Sequence, residues 1–359
     1  MRLNPYTSGQ AIWFTCVASL FATTALAADL TWSGAVSSDW NNPANWNPPQ
    51  IPTATDHVII NSGSVTVPAD GVFAIMDWTG GSIFGALAVA SNGVWNIAGA
   101  GVMDCYARVT NAGTIHWTGA GSWRLSSGAY IDNLAGGLLD IQNDQDISIK
   151  NGGSVTLHNA GTVRKSASTG TTTLAVFFDN LGTVEADTGV INLQGGYSGG
   201  SAVNLAISLG GATPGDGYGK INFSNPLSFD GTFSVSTRNG YLPNPGDTFS
   251  VLSYPASTSS FTCLSGMDLG GGLLLQPHYN ATGLTLTATT YTTGTSQPQL
   301  FISRSANGIV VQWPLGFPGW VLQSNTNLAS SFWAPVPVAC DNQVLLPVTA
   351  PGQFFRLKQ

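Results

Sequence analysis

Asp132, Asp140, Asp144 and Asp146 crowd one stretch of the chain, and carboxylates gathered in this way suggest two chemistries. Paired carboxylates can divide the general acid and general base of glycoside hydrolysis between them, or hold Ca²⁺ together with backbone carbonyls. Local structure offers a plainer use. Asp144-Gln145-Asp146 lies where a turn is expected, and Asp closes turns through hydrogen bonds to nearby backbone. A lyase acting on an acidic polymer would also set basic groups against it, yet Arg108, Arg124, Lys150, Arg164 and Lys165 follow no shared motif. The sequence assigns no catalytic residue and leaves those four carboxylates as the candidates to inspect.

Other constellations are thinner. Gly196-Tyr197-Ser198-Gly199-Gly200 fits G-x-S-x-G, but a nucleophile elbow needs a strand before it, a helix after it, and His and Asp partners. Here Ser201 to Leu205 reads as further strand. His57, His116, His158 and His278 lack metal-ligand spacing, although His116 and His158 could fall on neighbouring repeats, and no metal or other cofactor is expected. Trp78, Trp95, Trp117 and Trp123 are the binding candidates. Indoles on a regular outer face would stack on sugar rings, whereas indoles turned inward would fill a wide core. Cys105, Cys263 and Cys340 are too few and too scattered for a disulfide framework. Cys263 and Cys340 could pair in an oxidising compartment, and Cys105, in an apolar strand pattern, reads as a buried thiol.

The elements that must position these groups are strands. The chain of 359 residues holds 44 Gly, is 43% hydrophobic and only 8% charged, and contains a single Glu, Glu185. Helix formers are scarce, turn formers plentiful, and apolar surface is ample for a core, so an all-β fold is expected and a disordered chain excluded. The net charge of −7 and the shortage of Lys and Arg exclude a nucleic-acid partner, which needs rows of phosphates neutralised.

A short signature recurs: Asn111-Ala112-Gly113-Thr114, Asn159-Ala160-Gly161-Thr162 and Asn180-Leu181-Gly182-Thr183. Asn133 to Leu138 carries one extra residue, and Asn92-Gly93-Val94 is a shortened copy. The starts are 19, 22, 26 and 21 residues apart, a period that marks a β-solenoid with two or three short strands per unit. Asn and Gly are expected to supply left-handed turns, and Thr followed by a β-branched residue starts the next strand. Coils stacked at ~4.8 Å would bury the apolar face that a single coil cannot. A β-sandwich would not repeat one tetrad at near-constant spacing.

Residues 1–27 read as a secretory signal peptide. Arg2 gives a positive start, Ala11 to Ala27 is apolar, and Ala25-Leu26-Ala27 offers small residues for cleavage, so the mature chain is expected to begin at Ala28 or Asp29. No later stretch is long and apolar enough for a membrane span after that removal. The expected organisation is an N-terminal cap with first coils over 28–70, a β-helix with its closing segment over 71–290, a linker over 291–298 and a C-terminal β module over 299–359.

Three segments carry a family resemblance. The run Trp32-x-Gly34, Trp40-x-x-Pro43-x-Asn45-Trp46, Pro52-x-x-x-Asp56-x-Val58-x-Ile60 resembles the start of β-helical passenger-like (autotransporter- and adhesin-like) surface proteins exported by bacteria. Asn159 to Gly196 is similar to their coils, and Pro214-Gly215, Phe229 to Val235 and Pro245 to Phe249 to their closing segment. The resemblance implies a right-handed parallel β-helix at or beyond the cell surface, with no single chemistry attached. Trp320 to Leu328, Trp333 and Phe354-Phe355-Arg356-Leu357 resemble a small β-sandwich-like module at the ends of large exported bacterial proteins. The functional expectation is a secreted or cell-surface, non-enzymatic scaffold for adhesion. A carbohydrate-binding or polysaccharide-cleaving β-helix is the alternative, and a polysaccharide or cell-surface glycan the expected partner class.

Overall fold

The computed structural model describes residues 27–126, 128–257, 259–290, 297–305, 308–315, 317, 319–338, 340–347 and 352–359. The expected leader lies outside these apart from Ala27, as does most of the expected linker. The described residues form a parallel β-helix of about seven turns followed by two small antiparallel sheets, with about 1% helix among them.

Three parallel ladders make the faces of the solenoid. The first face runs through Asp29–Trp32, His57–Ile60, Ile75–Trp78, Val94–Ile97, Thr114–Trp117, Leu138–Ile141, Thr162–Lys165, Thr183–Ala186, Asn204–Leu209, Thr232–Thr237 and Cys263–Ser265. The second includes Met103–Cys105, Trp123–Leu125, Ile147–Ile149, Thr171–Leu174, Val190–Leu193 and Lys220–Phe223. The third stacks residues 86–89, Arg108–Asn111, Tyr130–Asn133, Thr156–Asn159, Phe177–Asn180 and Tyr197–Gly199. Alternation within each strand turns one set of side chains inward, so Met76, Trp95, Ile115, Leu139, Val163 and Val184 form one buried row of the first face.

The recurrent asparagine ends each strand of the third face and points inward. Asn111 Nδ2 donates to Asn133 Oδ1, Asn133 Nδ2 to Asn159 Oδ1 and Asn159 Nδ2 to Asn180 Oδ1, each at 2.7 Å. The same amide groups donate to the carbonyls of Leu138, Thr162 and Thr183 on the next strand of the first face. A buried amide satisfied in this way ties one coil to the next and closes its own corner. Val89, not Asn92, stands opposite Asn111, so the shortened copy at Asn92 does not join the ladder.

Left-handed turns do not explain the tetrad. Gly113, Gly161 and Gly182 lack a positive φ, and neither do the four asparagines have one. Glycine is needed because stacked corners touch. A Cβ on Gly161 would run into the carbonyl oxygens of Gly137 and Leu134, and one on Gly182 into the carbonyl of Gly161.

Both ends are closed, which protects edges that would otherwise pair with another chain. At the start, Trp46–Asn47 adds an antiparallel strand beside Asp29–Trp32, and Trp46 packs edge-on against Trp32 and Trp40 at 4.9 Å. At the far end, the hairpin Leu273–Asn280 and Gly283–Thr290 pairs antiparallel with Thr248–Ser253.

The C-terminal module comprises Phe301–Ser305, Gly308–Gln312 and Gln343–Leu346 in one sheet, and Val321–Asn325, Ala334–Pro335 and Phe354–Lys358 in the other. Its core centres on Val311, Trp313 and Leu322. A Cys263–Cys340 disulfide fastens it to the last strand of the first face, and Asp341 adds bonds to Leu264 O at 2.8 Å and from Met267 N at 2.5 Å. Limited proteolysis should therefore release the module several-fold faster from Cys263→Ser than from the oxidised protein, while the solenoid fragment stays intact.

Candidate functional site

Counting back from each ladder asparagine gives the outward surface of the third face. Three residues before it lie Arg108, Tyr130, Thr156 and Phe177, and one residue before it lie Thr110, Asp132, His158 and Asp179, with Ser198 continuing that second row. Tyr130 and Phe177 are two coils apart, about 9.6 Å along the stacking axis. Phe177 is 43% exposed.

A shallow depression of about 310 Å³ opens on this face, lined by Tyr130, Asp132, Ser154, Thr156 and His158 among others. The Arg108 guanidinium lies over the Tyr130 ring at 5.8 Å. Neither Arg108 nor Asp132 has an ion-pair partner among the described residues, so both retain hydrogen-bonding capacity. One coil further on, His158 Nδ1 is 3.1 Å from Asp179 Oδ2, while Ser198 Oγ donates to Asp179 Oδ1. The Ser198 bond, helped by His158 and opposed by burial, holds the Asp179 carboxyl below the usual range.

The four carboxylates flagged from the sequence do not converge. Asp132 is on the third face. Asp140 is on the first, only 2% exposed, held by Arg164 Nε at 3.1 Å and Gln142 Nε2 at 2.7 Å. Burial pushes its carboxyl up, but bonds from Arg164, Ser166 and Gln142 more than offset that and leave it below the ordinary value. Asp144 closes the corner between the first and second faces by accepting from Lys165 Nζ at 2.8 Å and from Ser168 Oγ. Asp146 is exposed beside it. The four are thus spread over the third face, the first face and the corner between the first and second faces.

No protein-family model matches the chain, and no curated protein matches its sequence. Any role must therefore be argued from this geometry.

The serine motif fails on order. Asp179 sits between Ser198 and His158, so no imidazole reaches the hydroxyl, and a depressed carboxylate is a poor base for it. His116 is on the first face, 3.3 Å from Asp140, and His158 on the third, so the two do not share a surface. No three His, Cys, Asp or Glu side chains among the described residues are arranged to hold a metal.

Trp78, Trp95, Trp117 and Trp123 are all 0% exposed, and sugar stacking on them is ruled out. Their rings pack together inside the coils, Trp95 on Trp123 at 5.4 Å and Trp78 on Trp95 at 5.7 Å. They face inward because each occupies an inner position of strand alternation. Cys105 is buried beside them, unpaired, with burial pushing its thiol up to about 12.

Glu185, noted in the sequence as the lone Glu, is not among the sequence's site candidates. It follows Asp140 and Arg164 along the outer row of the first face, and burial, reinforced by Asp187, raises its carboxyl. A raised and a lowered carboxylate on one row resemble an acid–base pair. Arg164 stands between them, however, and Asp140 is too enclosed to reach a glycosidic oxygen.

Proposed function

We propose that this chain is an exported, non-enzymatic binding scaffold, similar in build to passenger-like adhesins, that presents its third face to a polysaccharide. The observation that carries the reading is the double outer row. Phe177 and Tyr130, the latter with Arg108 over one of its faces, give two rings on one line, and Asp132 and His158 flank them with hydrogen-bonding groups. Aromatic faces stack on the C–H side of a pyranose while charged groups bind its hydroxyls, a combination that suits a glycan lying along the coil axis. The mixed signs of Arg108 and Asp132 favour a neutral sugar over a polyanion.

Export is supported by the leader-like sequence of residues 1–27 and by the disulfide, a bond at home in oxidising compartments. No helix among the described residues is long and apolar enough to cross a membrane. Contacts repeated along a regular face are individually weak and gain strength through number.

The test is affinity for cellohexaose, an extended neutral probe, in wild type, Tyr130→Ala and Phe177→Ala. Each substitution should weaken binding about tenfold, the loss of one stacked ring, without moving the melting temperature. Unchanged affinity in both variants, or an equal loss from a distant exposed aromatic such as Phe332→Ala, removes the third face from the reading.

A further inference from the structure

Asp56 is 1% exposed, and no cation pairs with it among the described residues. Its Oδ2 accepts from Thr53 N at 2.7 Å, Thr53 Oγ1 at 2.7 Å and Gln50 Nε2 at 3.3 Å. Its Oδ1 accepts from Ala28 N at 2.8 Å. A carboxylate taken out of water is costly unless a counter-charge joins it, and neutral donors alone replace only part of its hydration. Burial works against the charge, but these four neutral donors outweigh it and hold the carboxyl below its ordinary value, so the group stays ionised with no counter-charge beside it among the described residues.

Ala28 N is also the atom a leader peptidase would set free. Cleavage between Ala27 and Ala28 leaves Ala25 and Ala27 as the small residues at −3 and −1, whereas cleavage one residue later puts Leu26 at −3. We infer that the leader is removed at the Ala27–Ala28 bond and that the new α-ammonium of Ala28 docks on Asp56 as its missing counter-charge. Water supplies the hydroxyl to the Ala27 carbonyl and a hydrogen to the Ala28 nitrogen, which takes a further proton at neutral pH. No redox partner is required.

The surroundings are built for this. His57 N donates to Ala28 O at 2.9 Å, and Asp29–Trp32 pairs in parallel with His57–Ile60, so Ala28 is held at the mouth of the first strand. Asp56 O in turn accepts from Ala74 N at 2.9 Å, which fixes the next coil. Docking the terminus would lock the first coil of the solenoid as a consequence of export. A chain beginning at Asp29 lacks the Ala28 nitrogen, and its own ammonium starts about 3.3 Å further along the strand, beyond this carboxylate.

The inference rests on the export reading. The test uses the full chain produced in an exporting bacterium, with intact mass and N-terminal sequence of the recovered protein, followed by acetylation of the α-amine at neutral pH in the folded state. The mature protein should begin at Ala28, and its α-amine should react at least tenfold more slowly than that of Asp56→Asn. If Asp56→Asn does not fold, chains starting at Ala28 and at Asp29 replace it, and the Ala28 chain should melt several degrees higher. An intact Met1 end overturns the export reading together with this inference. A different cleaved end, an equally reactive amine in wild type and Asp56→Asn, or equal melting of the two starts overturns the docking alone.

Discussion

Asn159→Val will lower the unfolding free energy by about 3 kcal/mol, read as a lower urea midpoint at unchanged slope. The substitution takes one rung from the middle of a buried amide ladder. Asn133 Nδ2 loses its acceptor on Asn159, Asn180 Oδ1 loses its donor, and Thr183 O loses the amide that closes the corner. Three buried bonds are lost at about 1 kcal/mol each, although Asn133 Nδ2 keeps Thr162 O and Asn180 Oδ1 keeps Gly182 N. Valine itself is tolerated in the column, because Val89 occupies it one coil before Asn111. The penalty therefore comes from the bonds that the neighbours lose. Adding Asn133→Val to Asn159→Val should cost clearly less than the sum of the two single changes, since the bond between them can be lost only once. Strict additivity would show that the ladder carries no coupling.

The second large effect concerns a charge inside the core. Lys165 lies in the inward row that contains Trp117, Ile141 and Ala186 and is 0% exposed. Its Nζ donates to Asn143 O, to Asp144 Oδ1 at 2.8 Å and to Thr172 Oγ1 at 3.0 Å. Asp144→Asn leaves this ammonium without a counter-charge and should cost about 3 kcal/mol, near the lower end for a broken buried pair because Asp144 itself is 35% exposed. Lys165→Met removes the buried charge instead and keeps length and apolar contact, so its cost should stay below about 1 kcal/mol.

The pH dependence has a definite sign. Burial raises the Asp144 carboxyl, but bonds from Lys165 and Ser168 outweigh it and leave the folded value below the ordinary one. The unfolded chain then binds the proton more readily, so the stabilisation is complete above the ordinary carboxylate value and is lost as pH falls through the depressed one. Urea titrations of wild type and Asp144→Asn should differ most near neutrality and converge in acid. A gap that widens in acid would contradict the pairing.

Much of the fold was legible because a solenoid writes its period into the chain. The spacing of Asn-x-Gly-Thr set the coil length, and Thr162-Val163-Arg164-Lys165 already shows by alternation that Lys165 must turn inward. The roles of the repeated residues were harder to read. Asparagine and glycine favour left-handed turns in isolation, and only the stacking of one corner on the next shows an amide ladder and a contact too close for a Cβ. The indoles illustrate the same gap, since Trp fits either side of a sheet until register decides it. The third-face rows could have been found. Once the asparagine is known to point inward, the residues one and three places before it must point out, and those are Asp132, His158, Tyr130 and Phe177. The separation of Asp132 from Asp140 onto different faces depends on where each coil turns, which composition does not specify.

The most direct test of a scaffold that holds a glycan without cutting it measures both properties on one sample. Purified protein is incubated with a panel of neutral and acidic polysaccharides, and retention on each polymer is followed together with release of new reducing ends and of unsaturated uronates. Retention on a neutral polymer with no released sugar, however long the incubation, is the expected result. Accumulation of soluble oligosaccharides that stops in Asp132→Asn would contradict the scaffold reading and make the third face an active site.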